Sequence, residues 1–260
     1  MLILISNDDG IQAAGLLALA AELADVASVV VVAPDREQSA SSHSLTLHRP
    51  LRVNRVQKDW YAVDGTPTDC VTLAVDKLLK RKPDLVISGI NHGPNLGDDV
   101  MYSGTVAAAF EGYVHGVTSL AVSQSGWRKV DLKASARFVR RFVQGVPELF
   151  DGQRRLLNIN LPGPGRSGLR SFRVTRLAHR TYTDVIQEKL DPRGRAYYWI
   201  AGSPTWQTGP DTDVVAVRSG LVSVTPLSMD YTDYKQLSAM LDWKVGSPRK
   251  RASRTRARSR

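Results

Sequence analysis

The sequence predicts an α/β fold, a mostly parallel sheet flanked by helices. Three observations predict it. Short apolar runs rich in valine and isoleucine recur at Leu2–Ile5, Val26–Ala33, Leu85–Ile87, Ser119–Ser123 and Leu156–Leu161, and such continuous runs suit strands buried on both faces. Stretches of helical periodicity lie between them. At 260 residues the chain is long enough for one large domain with an elaboration.

The first strand, Leu2-Ile3-Leu4-Ile5, is too short for a buried helix. Ser6-Asn7-Asp8-Asp9-Gly10 follows at once, and Ile11, Leu16, Leu17, Leu19 and Leu23 then mark a helix. Asp8 and Asp9 therefore stand at the carboxyl end of a strand, where open α/β sheets bind ligands. Adjacent carboxylates repel each other, and a hard divalent cation bound through oxygens resolves the conflict. A turn closed by an Asx hydrogen bond uses the same residue types. The stretch alone leaves both readings open.

The second strand, Val26–Ala33, ends in Pro34-Asp35-Arg36, and the hydroxyl-rich loop Glu37–Ser44 follows. This loop lies at the same sheet edge as Asp8 and Asp9, so its serines are either a flexible connector or oxygen donors to a ligand. Alternation of Leu45, Leu47, Leu51 and Val53 predicts a strand over Leu45–Val56, paired antiparallel with Tyr61–Val63. Gly65-Thr66-Pro67-Thr68-Asp69 opens a helix, with Thr66 or Thr68 as its N-cap. That helix runs to about Lys80, where Lys80-Arg81-Lys82-Pro83 stops it.

The third parallel strand, Asp84–Ile90, exits into Asn91-His92-Gly93-Pro94-Asn95-Leu96-Gly97-Asp98-Asp99. Tyr102-Ser103-Gly104-Thr105 then opens an alanine-rich helix, Val106–Tyr113. A Ser-Gly-Thr entry presents unpaired backbone N–H groups and hydroxyls to an oxyanion. An ordinary N-cap accounts for the serine as well, but beside an acidic strand end the phosphate reading is the better one. A fourth strand, Ser119–Ser123, an amphipathic helix over Asp131–Phe150 and a fifth strand, Leu156–Leu161, complete this part.

Pro162-Gly163-Pro164-Gly165 marks a boundary. The expected division is residues 1–162 as the metal- and phosphate-binding core, 163–245 as a smaller β-rich extension with a terminal helix, and 246–260 as a basic tail. Strands are expected at Ser171–Leu177, Arg195–Ala201 and Val214–Pro226, the last with a turn at Ser219-Gly220, and the final helix at Tyr231–Trp243. Tyr197-Tyr198-Trp199 reads as a packing or subunit-contact face.

Composition excludes several classes. A single cysteine, Cys70, forbids an internal disulfide and a multi-cysteine zinc site. Its apolar neighbours predict a buried thiol, and the usage fits a reducing, cytoplasmic setting. No basic leader precedes the first apolar run, and no run reaches membrane-spanning length. The net charge of +10 suggests nucleic acid, but seven of those charges are Arg249, Lys250, Arg251, Arg254, Arg256, Arg258 and Arg260. Residues 1–248 carry only +3. The tail has no apolar periodicity and reads as disordered, and RNA or polyphosphate contact stays secondary. His43, His92 and His115 are scattered in sequence with no i, i+4 pair, which speaks against zinc. Asp98 and Asp99 read as second-shell or loop acids, Asp99 as the latter.

Ser6-Asn7-Asp8-Asp9-Gly10, Ala33-Pro34-Asp35-Arg36 with Ser39, Gly65-Thr66-Pro67-Thr68-Asp69-Cys70, Ser88 through Asp99, and Tyr102-Ser103-Gly104-Thr105-Val106 occur in that order. Together they resemble the SurE family, the stationary-phase survival nucleotidases, over roughly residues 1–245. The stretches Asp191–Gly194, Tyr197–Trp199 and Gly209–Asp213 share the likeness. The resemblance implies a Rossmann-like core and a phosphomonoesterase that hydrolyses nucleoside 5′- and 3′-monophosphates, with polyphosphate as a further substrate in some members. It implies one divalent cation per subunit, Mg²⁺ or Mn²⁺, held by Asp8, Asp9, Ser39 and Asn91. Asn95 and Ser103-Gly104-Thr105 would line the phosphate site. It also implies a homodimer or homotetramer with exchanged C-terminal elements. Tyr234 departs from the histidine that several members of the family carry in that exchanged segment.

Two carboxylates, a hydroxyl and an amide oxygen are hard donors suited to Mg²⁺ or Mn²⁺. The expected chemistry is attack by an activated water, with Asn95 and the turn N–H groups stabilising the phosphoryl oxygens. The sequence does not single out the group that takes the water's proton; Asp9 is one candidate base, though a metal-bound carboxylate is a weak one. An aspartyl-phosphate route through Asp8 or Asp9 ranks lower, because no Asp-x-Asp-Gly-Thr motif is present. The competing classes are a non-catalytic nucleotide-binding module, which has no use for adjacent carboxylates, and an RNA-binding protein acting through the tail, whose affinity falls with salt.

Overall fold

The structure, a computed structural model, describes residues 1–126, 130–163, 169, 171–183, 186–200 and 203–243. Met1–Leu227 form one compact unit. Its elements are β1 (Leu2–Ser6), α1 (Ala14–Leu23), β2 (Ser28–Pro34), β3 (Val53–Gln57), β4 (Trp60–Val63), α2 (Pro67–Leu73), β5 (Leu85–His92), α3 (Gly104–Val114), β6 (Ser119–Gln124), α4 (Leu132–Gly145) and β7 (Leu156–Leu161). Then come β8 (Phe172–Val174), β9 (His179–Thr183), β10 (Ile186–Leu190), β11 (Ala196–Ile200), β12 (Ser203–Gln207), α5 (Asp213–Arg218) and β13 (Val222–Pro226). The stretch from Ser228 carries α6 (Tyr234–Met240), capped by the Asp233 side chain.

Nine strands form one sheet in the order β3-β4-β2-β1-β5-β6-β7-β13-β8. The run from β4 to β7 is parallel throughout, while β3 and β13 join it antiparallel to their neighbours β4 and β7. The α/β fold and its mostly parallel sheet are as the apolar runs predicted. From β1 the chain crosses to β2 on one side, and β5 lies on the other. The β1/β5 boundary is thus a topological switch point, where such sheets bind ligands.

Helices cover both faces. Leu16, Leu19 and Leu23 of α1 and Phe138, Val139 and Phe142 of α4 pack on Ile3, Ile5 and Ile87. Cys70 and Val71 of α2 and Ala108 of α3 pack on Leu4, Val32 and Val86. Each fully buried leucine or phenylalanine here contributes about 1.5–3 kcal/mol relative to exposure. Cys70 is wholly buried, and burial pushes its thiol well above the ordinary range.

Several boundaries differ from the sequence pattern. Only Val53–Gln57 of the expected Leu45–Val56 strand pairs. The preceding stretch spends its polar groups on the start of α2 instead. Thr46 N and Oγ1 donate to Asp69 at 3.0 and 2.6 Å, and Thr66 Oγ1 donates to the Ser44 carbonyl at 2.7 Å. Thr66 is the N-cap, in a capping box with Asp69. Over Val214–Pro226 the β-branched run is helical up to Arg218, turns at Ser219-Gly220, and becomes a strand only at Val222. Burial of Val214, Ala216 and Val217 overrides their strand propensity. Strands β9, β10 and β12 lack alternation legible in the sequence. They form two small antiparallel sheets, β9 with β12 and β10 with β11. Pro164, Gly165 and the tail 246–260 lie outside the described residues.

Candidate active site

A cleft of about 690 Å³ opens at the carboxyl edge of the parallel strands. Asp8, Asp9, Ser39, Asn91, Asn95 and Ser103 all line it. Residues 8 and 103 lie far apart in the chain, and the β2-β1-β5 strand order brings their loops together.

The turn after β1 is closed by Asn7, whose Nδ2 donates to the Gly10 carbonyl at 2.9 Å. This holds Asp8 and Asp9 at the rim. Asp8 is buried and accepts from Thr105 Oγ1 through Oδ1. Its pKa is raised to about 6, chiefly by burial, which the Thr105 bond partly offsets and the charge of Asp9 reinforces. Asp9 is also raised, by burial first; the His92 N–H, 3.2 Å from Oδ2, counters this and the charge of Glu37 adds to it.

The loop after β2 reaches back to this turn, and Gln38 N–H donates to the Asp8 carbonyl at 2.7 Å. Ser39 Oγ donates to Glu37 Oε1 at 2.7 Å, which leaves its lone pairs for a cation. Asn91 follows an irregularity in β5. Ser88 pairs with Ala121 and Asn91 with Ser123, so Gly89 and Ile90 on one strand oppose Val122 alone on the other. This is a bulge of the kind that re-aims a side chain. Gly89, at φ 132°, makes it possible, for a Cβ there would stand 2.2 Å from the Val122 carbonyl oxygen. Asn91 Nδ2 donates to the Gly93 carbonyl at 2.9 Å, leaving Oδ1 as an oxygen donor.

Asn95 is clamped from below by β7. Its N–H donates to Asn160 Oδ1 at 2.8 Å, and its carbonyl accepts from Asn158 and Asn160 Nδ2 at 2.8 and 2.9 Å. Its own Nδ2 donates to Ser123 Oγ at 2.8 Å. Asn158 and Asn160 belong to none of the motifs singled out above. The signal was there: two asparagines at alternate positions of an otherwise apolar strand, both fully buried. Asp213 anchors the far end of the same loop by accepting from Gly97 N–H at 2.7 Å.

Ser103 lines the cleft and caps α3, accepting from Val106 N–H at 3.1 Å. Gly104 and Thr105 do not line it. The Thr105 hydroxyl is spent on Asp8, and Gly104 lets α3 approach Asp8 closely. A Cβ at Gly104 would stand 2.8 Å from Asp8 Cβ, 2.9 Å from its Oδ2 and 3.0 Å from Ser41 Oγ. Ser41 Oγ is buried and lacks a hydrogen-bond partner.

Glu37 and Asp99 bring the carboxylates lining the cleft to four, and no lysine or arginine is among the described residues that line it. Asp99, read from the sequence as a plain loop acid, lines the cleft and pairs with Arg180, whose guanidinium stacks over Trp206 at 5.4 Å. The paired carboxylates of such a cleft repel a phosphate dianion unless a cation accompanies it. The oxygen donor set and the excess of negative charge therefore fit a hard divalent ion. Among the described residues no group of three or more His, Cys, Asp and Glu side chains is placed to hold a metal by itself, so such an ion needs the Ser39 and Asn91 oxygens as well. Two of the three histidines meet in space, while His92 lines the cleft. His43 and His115 both meet Glu111, away from the cleft, at 2.8 and 3.1 Å.

No helix among the described residues is long and apolar enough to cross a membrane. The family model "Survival protein SurE" matches residues 3–184. The chain is 49% identical over 256 residues to the 5'-nucleotidase SurE of Desulforudis audaxviator (strain MP104C), covering 94% of this chain and 98% of that protein. It is 49% identical over 243 residues to the 5'-nucleotidase SurE of Vibrio vulnificus (strain CMCP6), covering 93% and 94%. The crystal structure of the SurE protein from Aquifex aeolicus superposes with a TM-score of 0.83 at 41% identity, covering 92% of this chain and 98% of that one. With matches of this extent, and with its motifs gathered around one acidic cleft, the chain belongs to the SurE family.

Proposed function

We propose that the chain is a divalent-metal-dependent phosphomonoesterase that hydrolyses nucleoside 5′- and 3′-monophosphates. The observation that carries this reading is the cleft itself, in which paired acids, a serine, two asparagines and a helix N-cap converge with no lysine or arginine among the described residues that line it. The names of the relatives agree with it.

In this reading Asp8, Asp9, Ser39 and Asn91 hold one Mg²⁺ or Mn²⁺. Such an ion supplies Lewis-acid polarisation of the phosphoryl group and acidifies water at the site. Asp8 is held by Thr105, and Ser39 turns its proton toward Glu37. The Asn95 amide, fixed from β7, and Ser103 at the cap of α3 stabilise the phosphoryl oxygens. Asp9 takes the proton of the attacking water as the bond to phosphorus forms, the ester P–O bond breaks in line, and the proton passes to the departing nucleoside oxygen. Residues 1–162 supply this chemistry, and 163–245 serve assembly into a homodimer or homotetramer with exchanged C-terminal elements. The protein works in the cytoplasm, and the tail 246–260 is dispensable for turnover.

The test is release of inorganic phosphate from AMP and GMP with Mn²⁺, with and without EDTA. Release is expected with Mn²⁺, abolished by EDTA and retained when residues 246–260 are deleted. Release unaffected by EDTA refutes the reading. Single turnover in ¹⁸O-water separates the routes, since a transient phosphate mass on the protein refutes direct attack by water.

A further inference from the structure

The segment that carries Ser39 and Ala40 into the cleft needs support from outside itself. Ala40 and Ser42 both lie in the left-handed region, at φ 57° and 52°, which residues with a Cβ keep only where their surroundings impose it. Backbone anchors supply part of that support. Gln38 N–H donates to the Asp8 carbonyl at 2.7 Å, Ser42 N–H to the Tyr102 carbonyl at 3.3 Å, and Ser42 Oγ to the Met101 carbonyl at 2.9 Å.

A side-chain anchor completes the set. His43 Nε2 lies 2.8 Å from Glu111 Oε2, and its ring packs near Phe110 at 6.0 Å between centroids. Glu111 is on α3 and only 8% exposed. Thr72 Oγ1 of α2 donates to its Oε1 at 2.8 Å, and His115 Nε2 lies 3.1 Å from the same oxygen. His115 Nδ1 faces Asp76 Oδ1 at 3.6 Å. Burial alone raises the Glu111 carboxyl, but the bonds from His43 and Thr72 and the charge of the histidines outweigh it and hold the group below its ordinary range. Glu111 thus remains an acceptor for three donors at neutral pH. It stands two turns, or about 10 Å, along the same helix from Gly104, the residue that backs Asp8.

We propose that His43 and Glu111 are positioning residues, whose hydrogen bond ties the Ser39–Ser42 segment to α3 and so sets Ser39 in register with the paired carboxylates. Neither residue lines the cleft. One rigid helix thereby references both halves of the metal site, Asp8 through Gly104 and Thr105, and Ser39 through Glu111. The inference rests on the metal-dependent reading above.

The test uses the full chain and two substitutions, His43→Ala and His43→Gln. A glutamine places an amide N–H donor about where the imidazole Nε2 stands, so it can restore the bond. The readouts are hydrogen exchange at the Gln38 and Ser42 amides, Mn²⁺ affinity without substrate by electron paramagnetic resonance, and KM and kcat on AMP. His43→Ala is expected to speed exchange at both amides, weaken Mn²⁺ binding about tenfold, as loss of an outer-shell support does, and raise KM more than it lowers kcat. His43→Gln is expected to return each toward the parent. Glu111→Gln, which turns an NH₂ toward donors that need an acceptor, is expected to resemble His43→Ala. Parental exchange or parental Mn²⁺ affinity in His43→Ala overturns the proposal, as does a His43→Gln protein as impaired as the alanine variant. A parent chain that neither binds Mn²⁺ nor releases phosphate sinks the metal-dependent reading first, and this proposal with it.

Discussion

Replacing Asp8 by asparagine should make the metal-free protein more stable while destroying its function. Asp8 is buried, and burial lifts its pKa to about 6 from an ordinary value of 3.8. Below pH ~4 the carboxyl is protonated in folded and unfolded chains alike and costs nothing. Between about 4 and 6 the unfolded chain has lost the proton that the folded chain still holds, so stability falls as pH rises. Above about 6 the folded chain carries the full penalty, roughly 3 kcal/mol for about two units at 1.36 kcal/mol each. Asparagine removes that charge. Its Oδ1 can still accept from Thr105. Burying the amide costs about 1 kcal/mol, so the net gain is about 2 kcal/mol, or a melting-temperature rise of about 4–8 °C for a chain of this size. The assay is urea and thermal unfolding of parent and Asp8→Asn in EDTA at pH 7.5 and pH 4. The gain is expected at pH 7.5 and absent at pH 4. With Mn²⁺ at one hundred times its dissociation constant, the parent should gain about 2.7 kcal/mol and the variant almost nothing. An Asp8→Asn protein that is less stable than the parent in EDTA at pH 7.5 refutes the reasoning. So does one that keeps its Mn²⁺ stabilisation.

Two further substitutions probe the walls of the cleft. Gly104→Ala places a methyl 2.8 Å from Asp8 Cβ, so either the first turn of α3 or Asp8 must shift by several tenths of an ångström; Mn²⁺ affinity and kcat should fall well before the melting temperature does, and unchanged Mn²⁺ affinity would show that the approach is unimportant. Asn160→Ala strips the Asn95 N–H of its acceptor and its carbonyl of one donor. It should cost about 1–3 kcal/mol and raise KM for AMP, which steady-state kinetics and urea unfolding together would check.

Local chemistry carried the first half of the story. An apolar run that ends in Asn7-Asp8-Asp9-Gly10 can only be a strand meeting a turn, and Pro67 after Thr66 can only open a helix. These features depend on residues within a few positions of each other. The alternation at Leu45 and Leu47 misled for the opposite reason. Those leucines are 50% and 87% exposed, and the strand they suggested gave way to bonds with Asp69, more than twenty residues on. The Val214–Val217 run likewise took its form from burial, which β-branching does not reveal.

The sequence by itself determined the layered α/β class, the acidic strand end, the helix caps and the motif order that marks the family, because each is written in near neighbours. Only the tertiary structure decided that Asp8, Ser39, Asn91 and Ser103 share one cleft, that Asn158 and Asn160 hold Asn95 from beneath, and that His43 and His115 meet on Glu111. Those meetings follow from strand order and from a bulge in β5. Strand order is settled by the burial of whole faces against helices, a property that no window of the chain contains.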